Sequence, residues 1–291
     1  MIVGYGFDTN FKKIIKEKIP SIRFVDTPLQ DAPTDIRAET KIALVFVFSE
    51  VDKQCLETMP NLEKVITLSA GTDHIDFEAC KEQAVDVYNT PKYGSRTVAE
   101  QAFALLLAFE RHIIEIRHED YDSFDRSPYF SRELNGKTIG VIGTGAIGEA
   151  TIKVAKGFNM NILAYDVKVN TDIVDSVDYV SLKQLCTHSD YVSLHVPLNK
   201  HTKHLLSEDL LQDMRKDAVL INTSRAGVVD EDVLVDLLKE EELRGAVLDV
   251  FSDKNYKVLK ALSNTILTPH NAFYTRNALE NMAEQAKALV I

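Results

Sequence analysis

The sequence predicts an α/β protein of two doubly wound domains, and three observations carry that prediction. Short apolar runs alternate with helical patterns over nearly the whole chain, the signature of strand–helix–strand units and parallel sheets. A long apolar helical pattern begins near Thr97 and interrupts the alternation. Beyond it, the glycine-rich run Gly143-Thr144-Gly145-Ala146-Ile147-Gly148 lies between a strand pattern and a helix pattern.

In the first ninety residues, the stretches 2–6, 22–26, 42–48, 64–70 and 85–89 read as strands. Helical patterns such as 11–18 and 75–84 separate most of them, enough for one small doubly wound domain. Thr97 and Glu100 have the T-x-x-E spacing of a capping box, and the helix they would start continues through residues 102–116. That is too long for a local connection and reads as the bridge into a second domain. The second domain opens at Lys137, with strand candidates at 138–143, 161–166, 190–196, 218–224, 245–251 and 265–270. Residues 121–134 are polar and aromatic and read as a loop that could join a subunit contact, and residues 277–291 read as a final helix.

The bulk numbers bound the function. With 291 residues the chain is long for one core and comfortable for two. A net charge of −11 argues against nucleic acid or an anionic membrane as partner, since both need a basic face. No apolar run is long enough for a transmembrane helix, and the N-terminus lacks the basic and apolar regions of a signal peptide. Cys55, Cys80 and Cys186 are odd in number and far apart, which fits free thiols in a reducing cytoplasm rather than a disulfide frame or a zinc site.

The glycine run has the right context on both sides for a dinucleotide site. Gly143 permits a tight turn, Gly145 leaves room for a pyrophosphate, and Gly148 lets the helix pack on the strand. The helix N-terminus at Ala146 and Ile147 then offers free N–H groups to the phosphates. Asp166 ends the next strand, 18 residues beyond Gly148, where it would accept ribose hydroxyls and repel a 2′-phosphate. The expected cofactor is therefore NAD rather than NADP, although Lys168 stands nearby.

Four more segments complete a pattern: Leu68-Ser69-Ala70-Gly71-Thr72-Asp73, Thr97 to Glu100, Asn222-Thr223-Ser224-Arg225-Ala226-Gly227, and Thr268-Pro269-His270. With the glycine run and His195-Val196-Pro197-Leu198, the chain resembles the D-isomer-specific 2-hydroxyacid dehydrogenases over nearly its whole length. The ending His270-Asn271-Ala272-Phe273-Tyr274 resembles the D-lactate dehydrogenase branch. The resemblance implies a flavodoxin-like substrate domain (1–92 and 272–291) and a Rossmann NAD-binding domain (93–271), with the active site in the cleft between them and closure about hinges near 91–96 and 269–276. It also implies a homodimer, no metal, and a small 2-keto or 2-hydroxy acid as substrate.

The resemblance implies roles that make chemical sense independently. Arg225 would hold the substrate carboxylate through its planar fork and polarise the carbonyl. His270 would be general acid in reduction and base in oxidation. Ala70 and Gly71 would offer backbone N–H groups to the carboxylate, with Tyr93 and Phe273 lining the substrate pocket. His195, Val196, Pro197, Thr223, Ser224 and Asp249 would contact the cofactor, Asp249 near the nicotinamide carboxamide. His74, His112, His118, His201 and His204 read as surface or structural residues.

One position departs from the family. A glutamate that pairs with the histidine is expected five residues after Asp249, and Lys254 stands there. A lysine beside His270 would lower its pKa where a carboxylate would raise it, and would bring three cations to one site. Asp253 could take the partner role, another acid could fill in, or His270 could act alone. Lys254 could also pair with a second negative charge on the substrate. Loss of the chemistry would leave an NAD-binding regulatory or interaction protein. Lys254 favours that alternative; Arg225, His270 and the Ala70-Gly71 pair together favour the enzyme.

Overall fold

The structure is a computed structural model that describes residues 1–118 and 126–290. The chain divides into two compact units, Met1–Gly94 with Tyr274–Ile291, and Ser95–Phe273. The divisions follow residues 94 and 273, against 92 and 271 expected from the sequence.

The first unit is a parallel five-stranded sheet of β1 (Ile2–Tyr5), β2 (Arg23–Val25), β3 (Ile42–Val45), β4 (Lys64–Thr67) and β5 (Asp86–Asn89). Its order, β2-β1-β3-β4-β5, is the flavodoxin-like winding. The helices are α1 (Thr9–Lys18), α2 (Thr34–Glu39), α3 (Lys53–Glu57) and α4 (Phe77–Glu82). Asp8 starts α1 by accepting the N–H groups of Asn10 at 2.9 Å and Phe11 at 3.2 Å, and Phe11 and Ile15 turn one buried face to the sheet. The strand expected over 42–48 stops at Val45, because residues 46–49 form a turn closed by Ser49 N–H on Phe46 O at 2.8 Å. The apolar run outlasts the strand because Phe46 packs edge-on against Phe11 and Phe48.

The second unit begins with α5 (Ser95–Glu110) and α6 (Ile113–His118) and continues through β6 (Thr138–Ile142), α7 (Ala146–Gly157), β7 (Asn161–Tyr165), β8 (Asp178–Tyr179) and α8 (Leu182–His188). It then runs through β9 (Tyr191–Leu194), α9 (Glu208–Gln212), β10 (Val219–Asn222), α10 (Glu231–Lys239), β11 (Gly245–Leu248), α11 (Asp253–Ala261) and β12 (Thr265–Leu267). The seven strands are parallel in the order β12-β11-β10-β9-β6-β7-β8. Counted from β6 this is the Rossmann order with one further strand, and it reverses between β6 and β9. Parallel strands put all their C-terminal ends on one edge, so the loops after β6, β9, β10, β11 and β12 share that edge.

The last helix, α12 (Arg276–Val290), belongs to the first unit and packs on α1. Leu279, Met282, Ala283 and Ala286 form its buried stripe. Lys18–Glu284 at 2.8 Å and Lys64 Nζ on Leu289 O at 2.6 Å tie it down.

Two local expectations fail. The helix starts at Ser95, so Thr97 lies in its first turn instead of at a cap, and Glu100 accepts Arg96 Nε at 2.8 Å. The pattern over 102–116 is also two helices, because His112 adopts φ 53° and ends the first. A complete capping box does form at Ser181 and Gln184, before α8. Of the segment 121–134, residues 121–125 lie outside the described residues, and Ser127–Tyr129 form one 3₁₀ turn. No helix among the described residues is long and apolar enough to cross a membrane.

Candidate active site

The glycine loop after β6 is built by close approach. Gly143 has φ +93°, and a Cβ on Gly148 would stand 1.9 Å from Gly143 O, so only glycine fits both positions. A Cβ on Gly145 would meet no atom within 4 Å, which leaves open space where the N-terminus of α7 begins at Ala146 and Ile147. Thr144 is buried and held from three sides. Its N–H donates to Asp166 Oδ2 at 2.6 Å, its carbonyl accepts Asn170 Nδ2 at 2.9 Å, and its hydroxyl accepts Tyr179 OH at 2.9 Å. Asp166 thus ends β7 beside the loop, with its Oδ1 accepting Lys168 N–H at 3.1 Å. Thr144, Asn170 and Tyr179 were not singled out from sequence; only the short β8 that carries Tyr179 could have flagged it.

Across the sheet reversal, His195 follows β9. Its carbonyl would lie 2.6 Å from a Cβ on Gly143, and Val196 also crowds that point, while Pro197 is exposed. The His195 ring takes Ser193 Oγ at 2.8 Å on Nε2, and its buried Nδ1 has no partner. Burial pushes this imidazole down to about 3, so it stays neutral at working pH. On the neighbouring strand end, the Thr223 hydroxyl is also buried without a partner. Buried polar atoms without partners are rare and ask for one. Two of them at the strand ends beside an open glycine cradle fit a bound dinucleotide, whose ribose and phosphate groups can supply those bonds.

Arg225 stands three residues past β10 on a loop that Asn222 organises. Asn222 Oδ1 accepts Ser224 N–H at 3.0 Å and Ser224 Oγ at 2.8 Å, and its Nδ2 donates to Arg225 O at 3.0 Å. Arg225 is half-buried, with Nη1 donating to Ser224 O at 2.8 Å. His270 follows β12 in the left-handed region, φ 53°, and its N–H donates to Asp249 O at 2.9 Å. Phe273 is buried and meets the His270 ring edge-on, centroids 6.3 Å apart. Asp249, buried at the end of β11, spends both carboxylate oxygens on the 268–272 loop. Arg225, Asp249 and His270 therefore stand after three consecutive strands of one sheet.

Lys254, the position that departs from the family, has an acidic partner of its own. Lys254 is exposed and pairs with Asp232 at 2.6 Å, which lowers the Asp232 carboxyl and raises the lysine. Glu231 accepts Ser252 N–H at 3.0 Å and Asn255 Nδ2 at 3.3 Å, fixing the start of α11. Asp253 opens that helix and is exposed. In the first unit, Ala70 and Gly71 form the turn after β4, and Tyr93 is half-buried with its carbonyl accepting Asn281 Nδ2 at 3.1 Å.

Comparison with known proteins accords with this geometry. Residues 103–272, more than half of the chain, match the NAD binding domain of the D-isomer specific 2-hydroxyacid dehydrogenases. A glyoxylate reductase of Thermococcus litoralis is 38% identical over 263 residues, covering 84% of this chain and 78% of that protein. A hydroxypyruvate reductase of Thermotoga maritima is 34% identical over 256 residues, covering 86% and 83%. The D-lactate dehydrogenase of Aquifex aeolicus, solved with NAD and lactic acid, matches with a TM-score of 0.91 at 32% identity, covering 100% of this chain and 94% of that one. The chain belongs to the D-isomer specific 2-hydroxyacid dehydrogenases, NAD-dependent oxidoreductases that interconvert 2-keto and 2-hydroxy acids.

Proposed function

We propose that this enzyme reduces a two- or three-carbon 2-keto acid to the D-2-hydroxy acid, with NADH preferred over NADPH. The size follows the relatives, which are named for glyoxylate, hydroxypyruvate and lactate. The cofactor preference rests on Asp166, the carboxylate that ends β7 beside the glycine loop, whose charge would repel a 2′-phosphate bound there.

The observation that carries the reading is the pair of clamps on one sheet edge. Asn222 fixes the Arg225 loop and Asp249 fixes the His270 loop, so a guanidinium and an imidazole are held on short, determined turns. Arg225 binds the carboxylate and draws electron density from the adjoining carbonyl. His270 gives its proton to the carbonyl oxygen in reduction and takes it back in oxidation. The hydride would come from, or return to, a nicotinamide cofactor held by the glycine-loop unit. Ala70 and Gly71 bind the carboxylate through backbone N–H groups, and Tyr93 and Phe273 limit the substrate side chain. Asp253 is the partner proposed for His270, on the strength of its place at the start of α11. His195, Val196, Pro197, Thr223 and Ser224 contact the cofactor. A homodimer and a cytoplasmic setting go with this reading; exposed Ile113, Ile114 and Phe130 offer apolar surface for the subunit contact, and a monomer in light scattering would remove it.

The test is NADH oxidation across glyoxylate, hydroxypyruvate, pyruvate and phenylpyruvate, with His270→Asn alongside. The three small acids should give the higher kcat/KM, and the variant should lose about 10²–10⁴ of the rate. NADH binding without turnover on any of them, from acid to alkaline pH, would leave the regulatory reading in its place.

A further inference from the structure

The turn after β4 has three successive carbonyls each held by a hydrogen bond. Ser69 O accepts Thr90 N–H at 3.1 Å, Ala70 O accepts Asn89 Nδ2 at 2.9 Å, and Gly71 O accepts Ser69 Oγ at 2.6 Å. A planar trans peptide sends each following N–H the opposite way, so these three bonds aim the N–H groups of Ala70, Gly71 and Thr72. None of those three N–H groups has an acceptor among the described residues, and Ala70 is exposed. Successive backbone N–H groups left open on a turn are what an anion-binding concavity is made of.

The third carbonyl is held by a chain of side chains whose polarity can be worked out proton by proton. Gly71 O can only accept, so the single hydroxyl proton of Ser69 is spent on it. In the 2.8 Å contact between Thr67 Oγ1 and Ser69 Oγ, the proton must then come from Thr67. That leaves Thr67 Oγ1 as acceptor in its 2.9 Å contact with His74, so Nε2 of His74 carries a proton. Thr67 and Ser69 are both fully buried, which keeps water from substituting at either link. The imidazole is presented by a fixed backbone, since His74 O accepts Val51 N–H at 2.9 Å and Val51 bridges to Ile75.

We infer that His74 is a positioning residue for the substrate carboxylate: its Nε2–H, passed through the Thr67 and Ser69 hydroxyls, fixes Gly71 and with it the curvature of the N–H turn. Gly71 is the residue of this turn least able to hold its own conformation, so an outside restraint matters most there. The assignment rests on the proposed role of Ala70 and Gly71. It replaces the reading of His74 as a surface or merely structural histidine.

The experiment compares wild type, His74→Leu and His74→Gln, each shown folded by circular dichroism, with NADH and glyoxylate. Glutamine can place an N–H near the Nε2 position, and leucine cannot. His74→Leu should raise KM for glyoxylate about tenfold, the size of one lost hydrogen bond, with kcat and the NADH Kd within about twofold. His74→Gln should recover most of the difference. An unchanged KM in His74→Leu, or equal damage in both variants, would overturn the inference. Imidazole ¹⁵N NMR on the wild-type protein reads the tautomer without turnover: a proton on Nε2 is expected, and a neutral Nδ1–H tautomer would overturn it. If wild type turns over no keto acid, the proposed function fails, and the tautomer alone decides whether His74 sets the turn.

Discussion

Asp249 shows how much one buried carboxylate holds. Oδ1 accepts Thr268 Oγ1 at 2.5 Å and Asn271 N–H at 3.0 Å, and Oδ2 accepts Ala272 N–H at 2.9 Å. Burial raises its pKa, and these three bonds pull the other way. They bracket His270, a non-glycine residue at φ 53° whose conformation costs about 1–3 kcal/mol and persists only where the surroundings impose it. Asp249→Asn keeps one oxygen but turns an amide NH₂ toward the N–H groups, leaving a buried donor unpaired. The expected outcome is a loss of about 1–3 kcal/mol in thermal unfolding and a kcat lowered more than tenfold. NADH affinity should fall less than kcat, because the damage reaches chemistry through the His270 loop. An unchanged melting temperature would mean that the clamp contributes no stability.

At the scale of elements, the β6–loop–α7 unit separates what glycine does for folding from what it does for binding. Gly145 is extended, φ −67°, with open space at its Cβ position, whereas a Cβ on Gly148 would collide with the backbone of Gly143. Gly145→Ala should therefore leave the melting temperature unchanged and raise the NADH Kd, while Gly148→Ala should lower the melting temperature by several degrees. Thermal unfolding and fluorescence titration check the pair, and equal melting losses in both would contradict the argument. This unit was legible in the sequence because each glycine answers a demand made within six residues. The alternating strands and helices were legible for the same reason, since periodicity is local. The clamps were not: Asp249 holds residues 19 to 23 positions away, and His74 acts through Thr67 and Ser69 on a turn whose geometry no spacing reveals. Nor was the break at His112, where the apolar pattern continues straight through a left-handed residue. The pairing of Lys254 was hidden in the same way, because its Asp232 partner lies on α10, 22 positions earlier.

For the whole molecule, each unit has its own buried core, one around Val3, Tyr5, Val45 and Val65, the other on both faces of the seven-stranded sheet. Separate cores allow separate transitions, so unfolding need not be two-state. In the second unit, His195 makes stability depend on pH. Its folded pKa is depressed by burial to about 3, against an ordinary value of 6.5 in the unfolded chain. Above pH 6.5 both states are neutral and the full stability is present. Below it the unfolded chain takes a proton that the folded one refuses, so stability is lost as pH falls toward the folded value, by about 2 kcal/mol at pH 5. Carboxylates begin to titrate below that point, which makes pH 5 to 6.5 the window to measure. His195→Gln retains an amide to meet Ser193 but has no proton to gain. Melting curves of both proteins at pH 7, 6 and 5 should show the wild-type transition falling more steeply than the variant's. The difference should appear in the transition that belongs to the Rossmann unit; parallel lines would mean that the imidazole is protonated in the folded protein after all.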